Sequence, residues 1–425
     1  MHGERGLVAG AAEVEITPAV GAELAGGLHP RRSVGVQDPL YVKALVLASG
    51  GRQIAYVIVD AIALSRETGD RAVAAASRLS GIPPEHIVWA ATHTHTGPYT
   101  VPVFGPANTE WLDALPGKFA SAVEAACRAM RPVRLTCERG FHCGLGHNRR
   151  LLLKDGRAIN TWNLANAGEV QCLGSAGPVD PEVGILALED DGGLVAVLFH
   201  YALHANVNFG PCFSADYPAV VAARLRERFG PRVVTLFAPG ACADINTWGL
   251  TYRQVGDALA GVVIERLAAR CQRPGPMRLG ALKREVVAPF RDASTDQEER
   301  IARSGWSPEG QEVFRRELEL VRAEGATEAR TVLQAWRIGD VGFASLPGEL
   351  FVEWGLKIKR ESPFLWTYPV ELGGDYLGYL VTEQAWQAGG YESLIARSAK
   401  PSPAGSAGMV SEALDMLRQL HGSQA

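Results

Sequence analysis

Two apolar runs, 40–49 and 53–61, meet across Gly50-Gly51, and a third, Ile87-Val88-Trp89-Ala90-Ala91, follows one helix-length segment later. β-branched and aliphatic residues at this density, broken by two glycines, predict two strands joined by a tight hairpin. Between them and the third run, Arg66 to Leu79 carries apolar residues at helical spacing, and Gly81, Pro83 and Pro84 end it. Strand-helix-strand alternation restricts the chain to the α/β class. Apolar patterning predicts further strands near 132–138, 184–189, 194–200, 231–237, 277–289, 331–337 and 341–346. It predicts helices near 109–130, 217–229, 252–272, 296–325, 349–360 and 409–420. The reading is mixed β-sheets covered by helices in a single large domain spanning 1–425, with no internal repeat.

The third run delivers Thr92-His93-Thr94-His95-Thr96-Gly97-Pro98. Alternation at period two would place both imidazoles on one face of an extended segment before Gly97 and Pro98 turn the chain. Neutral imidazole is the commonest ligand for a borderline metal such as zinc. The pair therefore reads as one ligand beside one proton-handling group, or as two satisfied histidines at a sheet rim, and the spacing does not decide. A second pair, His200 and His204, follows a Val-rich strand but lacks the glutamate of helical zinc-protease motifs. Glu349, in Leu346-Pro347-Gly348-Glu349, reads as the opening of a helix, where the macrodipole alone accounts for a carboxylate. The glycines and tyrosines of 373–383 and of Gly390-Tyr391-Glu392-Ser393 suggest either the rim of a site or aromatic loop anchors. Small residues over 237–246 allow a close backbone approach, and no phosphate-binding glycine pattern follows a strand.

The chain has 425 residues, 47% hydrophobic and 21% charged, with a net charge of -4. It has no basic field for nucleic acid or an anionic membrane, and no apolar stretch long enough to span a bilayer. A soluble, cytoplasmic protein without stable membrane association is the expectation, its oligomeric state open. Seven cysteines at 127, 137, 143, 172, 212, 242 and 271 form no Cys-x-x-Cys pair. Those at 137 and 143, flanking His142, read as buried small hydrophobes rather than a metal knuckle. Charge-rich residues near 292–328 read as a solvated helical excursion, and the Pro, Gly and Ser of 401–408 as a flexible surface loop.

Taken in order, these segments resemble the neutral/alkaline ceramidase superfamily, whose catalytic domain carries Thr-His-Thr-His-Ser-Gly-Pro. The likeness continues at Gly146-His147-Asn148-Arg149, His204, Pro347-Gly348-Glu349, Tyr376-Leu377-Gly378-Tyr379 and Tyr391. The resemblance implies a zinc-dependent hydrolase of amide bonds in which His93, His204, Glu349 and Tyr379 hold Zn2+. It places His95, Arg149 and Tyr391 around the substrate carbonyl. Asp244 is expected to orient a ligand from behind. Asn246 stands where the family has a serine, and it is a further candidate catalytic residue. That departure, with the missing export signal and C-terminal immunoglobulin-like domain, shifts the expected substrate from ceramide to a small soluble acyl compound: an amide, or an ester or lactone. The alternatives are a metal-binding protein of the same fold that has lost catalysis, and a true ceramidase.

Overall fold

A computed structural model describes residues 6–166, 171–269, 277–295 and 297–423. Its strands are β1 (Val8–Glu15), β2 (Tyr41–Ser49), β3 (Arg52–Val59), β4 (Ile87–Ala91), β5 (Arg134–Phe141), β6 (Glu182–Asp190), β7 (Gly193–Tyr201), β8 (Val234–Pro239), β9 (Leu279–Pro289), β10 (Glu328–Ile338), β11 (Val341–Ser345) and β12 (Trp366–Val370). The helices are α1 (Arg66–Ser80), α2 (Thr109–Arg128), α3 (Tyr217–Phe229), α4 (Tyr252–Ala268), α5 (Gln297–Ala302), α6 (Pro308–Glu324), α7 (Val352–Glu361), α8 (Glu383–Ala388) and α9 (Pro403–Gly422).

Ser49 pairs with Arg52, so Gly50 and Gly51 alone make the turn, both at positive φ, the geometry that matches the twist of a hairpin. Ser65 caps α1 by accepting from Thr68 N, and Gly81 ends it in the left-handed conformation. β4 then lies parallel to β3. The same order recurs twice. β5, β6 and β7 are antiparallel, α3 crosses over, and β8 lies parallel to β7. β9, β10 and β11 are antiparallel, α7 crosses over, and β12 lies parallel to β11. Each unit closes with one more helix, α2, α4 or α9. The expectation of no internal repeat is thus corrected at the level of structure: three strand-strand-strand-helix-strand-helix units are present, and their sequences do not reveal it.

Period-two burial explains how the units join. One face of every sheet enters a shared core: Leu45, Leu47 and Ile58 from the first, Leu186 and Leu198 from the second, Trp336, Phe343 and Tyr368 from the third. The opposite faces pack on their own helices, as Val57 does near Phe119, Phe199 near Leu259, and Ala335 near Leu414. Tyr56 Oη donates to Phe237 O at 2.8 Å, linking the first and second sheets inside the core.

Several boundaries differ from expectation. The helix expected over 296–325 is two helices, because Ser307-Pro308 starts a new one. Their surface is not wholly solvated: Phe314 and Leu318 are buried, and Glu317 takes a two-pronged ion pair from Arg397. Glu349 does not open α7. Glu349 and Leu350 form a two-residue strand beside Tyr379 and Leu380, and the helix starts after them. Residues 401–408 are no flexible surface loop: Ser402 caps α9, Pro403 is its first residue, and Gly405 is buried where a Cβ would lie 2.7 Å from Pro289 O. Cys137 is half-buried and Cys143 exposed, so neither is the buried small hydrophobe expected. Cys271 lies outside the described residues.

Candidate metal centre and active site

The chain segments leaving the carboxyl ends of β3, β4, β7, β8, β11 and β12 gather at one end of the three sheets, where α/β proteins bind their ligands. His93 follows β4, His204 follows β7, and Glu349 follows β11, so each sheet contributes one group. The His93/His95 pair does not converge by strand alternation. β4 ends at Ala91, and His93 has φ 66°, a left-handed conformation fixed by Thr92 N bonding Val59 O and His93 N bonding Ala61 O. Such conformations cost roughly 1–3 kcal/mol and persist where the surroundings over-determine them.

His93 Nε2 lies 2.9 Å from His204 Nε2, and His95 Nε2 lies 3.3 and 3.2 Å from those two atoms. The other ring nitrogens meet backbone carbonyls: His93 Nδ1 at Ile62 O (2.7 Å), His95 Nδ1 at Gly26 O (3.0 Å) and His204 Nδ1 at Cys242 O (3.2 Å). A carbonyl accepts only, so each Nδ1 carries the proton and each neutral ring turns an Nε2 lone pair toward the other two. Three lone pairs at this separation repel unless something positive lies between them. Glu349 Oε2 is 3.3 Å from His93 Nε2 and 3.9 Å from His204 Nε2, and it is buried without a hydrogen-bond donor. Three imidazoles and a partnerless carboxylate oxygen suit a divalent cation.

Burial holds the pKa of His204 and of His95 well below the ordinary value, and the neighbouring His93 adds to it. Burial also opposes a charge on His93, but the Glu349 carboxylate overrides it and raises that pKa. Glu349 Oε1 accepts from Tyr376 Oη at 3.0 Å. Tyr379, beside Glu349 in the two-residue ladder, accepts from Arg149 Nη2 at 3.1 Å, and its ring packs 5.4 Å from that of Tyr391.

Arg149 is fully buried. Its Nε donates to Glu392 Oε1 at 2.8 Å and its Nη1 to Asn246 Oδ1 at 3.2 Å. Glu392 also accepts from Arg150 Nη1 at 2.6 Å and Asn160 Nδ2 at 2.7 Å. Burial pushes the Glu392 carboxyl up, yet the two guanidinium groups outweigh this and hold its pKa below the usual value. Asp244 bonds none of the histidines. It accepts from Val352 N and Asn148 Nδ2, so it anchors the start of α7, and carbonyl oxygens orient the imidazoles instead. His200 is also remote from the cluster, bonded to Pro369 O.

The imidazoles of His95 and His204 form the floor of a cavity of about 600 Å³ walled by Arg31, Phe104, Arg149, Trp162, Phe209, Asn246, Trp306 and Tyr391. A narrow recess of about 40 Å³ behind it reaches His93, Glu349 and Tyr376. The connection between first and second strands contributes to the wall in every unit: Gly26 and Arg31 before β2, Arg149 and Trp162 before β6, Trp306 before β10; Phe104, Phe209, Asn246 and Tyr391 come from later loops. A neighbouring cavity of about 620 Å³ shares only Leu28 and Phe104 with this one and holds no histidine, so the chemistry is assigned to the first.

Of the groups expected from sequence, His93, His95, His204, Glu349, Tyr379, Arg149, Tyr391 and Asn246 all lie on this cavity or its recess. Sequence reasoning assigned no role to Tyr376 or Glu392, although both stand in the stretches it singled out. It had no signal for Gly26, where a Cβ would lie 2.3 Å from His95 Nδ1, or for Arg31 and Trp306.

Mixed sheets flanked by helices, with a histidine-carboxylate cluster at their carboxyl ends, define an α/β protein with a candidate metal centre. Its fold is that of neutral ceramidase. The Pseudomonas aeruginosa neutral ceramidase aligns over 99% of this chain and 75% of its own, with a TM-score of 0.74 at 17% identity. A structure described as ceramidase complexed with C2 aligns over 98% and 75%, with a TM-score of 0.72 at 17% identity. No protein-family model matches the sequence, and no curated protein matches it. No helix among the described residues is long and apolar enough to cross a membrane.

Proposed function

We propose that the chain is a zinc-dependent hydrolase of an amide bond, with esters or lactones as further substrates, acting on a small soluble molecule. One observation carries the reading: three Nε2 lone pairs, each fixed by an Nδ1–carbonyl bond, converge on one another, and two of them face a carboxylate oxygen without a donor. The two ceramidase structures of the same fold are of amide hydrolases by name, which favours this reaction class. His93, His204 and Glu349 hold the ion, with Tyr379 beside them. His95 is less buried than His93 and His204 and has no ion pair to Glu349, so it is assigned to proton transfer. When bound, zinc supplies Lewis acidity and lowers the pKa of water toward about 7.

The protein's own groups then act in order. His95 Nε2 accepts the proton of the water that adds to the carbonyl carbon, and returns it to the leaving nitrogen as the C–N bond breaks. Arg149 and Tyr391 donate to the carbonyl oxygen as it gains charge, in a site where burial strengthens such bonds. Asn246 and Glu392 fix the Arg149 guanidinium from two sides.

Metal analysis with three variants tests the reading. Close to one zinc per chain is expected in the wild type, lost in His93→Ala and Glu349→Ala together with activity, and kept in His95→Ala while the rate falls about 10²–10⁴-fold. Zinc occupancy unchanged in His93→Ala overturns the ligand set. Absence of chelator-sensitive turnover on any acyl substrate favours a metal-binding protein without catalysis. Faster cleavage of long-chain N-acylsphingosine than of soluble amides would make the chain a ceramidase.

A further inference from the structure

The cavity wall has a charge composition unlike that of the whole chain. Asp and Glu outnumber Lys and Arg by 46 to 42 in the sequence, yet the cavity is lined by Arg31, Arg149, His29, His95 and His204 and by no carboxylate. Two carboxylates stand behind the wall and are turned to other groups. Glu349 faces the imidazoles and Tyr376, and Glu392 is shared between Arg149, Arg150 and Asn160.

Arg31 stands out on this wall. Its Nη2 donates to Ala25 O and His95 O, both at 2.7 Å, and its Nη1 to Phe209 O and Gly210 O at 3.3 and 3.4 Å. Four carbonyls thus hold the guanidinium still, with Cζ 3.8 Å from the centroid of the Phe209 ring. None of them neutralises it. Arg31 forms no ion pair with a carboxylate among the described residues, and its buried Nε–H has no acceptor. Across the cavity the buried Trp306 Nε1–H also lacks one. The unanswered polar atoms of this wall are donors, and its unanswered charge is positive. Carboxylates and phosphates are the groups that complement such a surface.

We propose that the substrate is an amide that carries a carboxylate, and that Arg31 selects it. This rests on the hydrolase reading above and adds the chemical class of the molecule cleaved. Arg31 is bonded to the backbone of His95, so an anion held beside it lies next to the proton-transfer group. The carboxylate can stand on the amine portion, as in an N-acyl amino acid, or on the acyl portion, as in the mono-amide of a dicarboxylic acid.

Two matched substrate pairs test this with the zinc-loaded protein. One is N-benzoylglycine and its uncharged carboxamide. The other is the mono-anilide of glutaric acid and uncharged butyranilide. In at least one pair the anion should show a kcat/KM about tenfold or more above its neutral partner at low ionic strength, and the ratio should shrink as salt is raised. The favoured pair tells which portion bears the charge. Arg31→Gln should bring the ratio toward one, while Arg31→Lys, which keeps the charge but loses the four-carbonyl clamp, should retain most of it. A ratio near or below one in both pairs overturns the proposal, as does a loss in Arg31→Gln that is equal for both members. If neither pair is cleaved, the hydrolase reading is at fault, and the charge preference is read from calorimetric binding of N-benzoylglycine against its carboxamide. Equal affinities there overturn it.

Discussion

At the scale of single residues, the site depends on groups that the sequence places in view without revealing their work. Tyr376 shows this: its hydroxyl donates to the Glu349 oxygen that faces away from the histidines. Groups that orient metal ligands typically change affinity 10–100-fold, so Tyr376→Phe should weaken zinc binding by about that factor, measured by competition with a chromogenic chelator. Glu392 is the second case, a buried carboxylate between two guanidinium groups. Glu392→Gln leaves Arg149 and Arg150 without their counter-charge and should destabilise the fold by about 3–5 kcal/mol in urea unfolding. Its pKa is depressed in the folded state, so its contribution is complete above the ordinary value of 4.5 and is lost as pH falls through the lower folded value. Wild type and variant should therefore converge in stability on acidification below that point. The motif singled out Tyr391, which lies on the cavity. Its neighbour Glu392 was given no role, because its importance comes from Arg150 and Asn160, which are far away in the chain.

At the scale of elements, hydrophobic periodicity located most of the long strands and helices, because each sheet buries both faces and each helix one, but it missed β1, β12 and α8. Misreadings arose where glycine and proline had another meaning. In 401–408 they were taken for loop punctuation, whereas Ser402-Pro403 is a helix start and Gly405 is small because α9 crosses the end of β9 there. Gly405→Ala should force that contact apart and cost about 1–3 kcal/mol, read as a shift in the denaturation midpoint with the slope unchanged. The same reasoning applies to His93. Alternation correctly brought His93 and His95 together, but for the wrong reason, since a left-handed residue and not a pleat turns the first imidazole inward. Nothing in Thr-His-Thr-His states that conformation; it comes from the bonds that β3 and its following loop make with 92 and 93.

At the scale of the molecule, three units of the same strand order share one core, and this was not readable from sequence. The units differ in the lengths of their first connections, while the order and direction of strand pairing carry the repetition. Those connections supply part of the cavity wall, so the fold separates a common frame from variable loops, and one frame can serve many substrates. A cation held by groups from all three sheets should stabilise their association. Dialysis against a chelator is therefore expected to lower the thermal midpoint by several degrees, given about 4 kcal/mol of binding linkage at a thousandfold excess over Kd. Restoring zinc should reverse the shift.

His93, His204 and Glu349 enter from the first, second and third units in turn. If they hold an ion as proposed, the emerging polypeptide cannot close that cage until the third unit has formed and docked. Metal loading then reports that assembly is finished, and a chain interrupted before β11 should be unable to retain the ion however well its earlier units have folded.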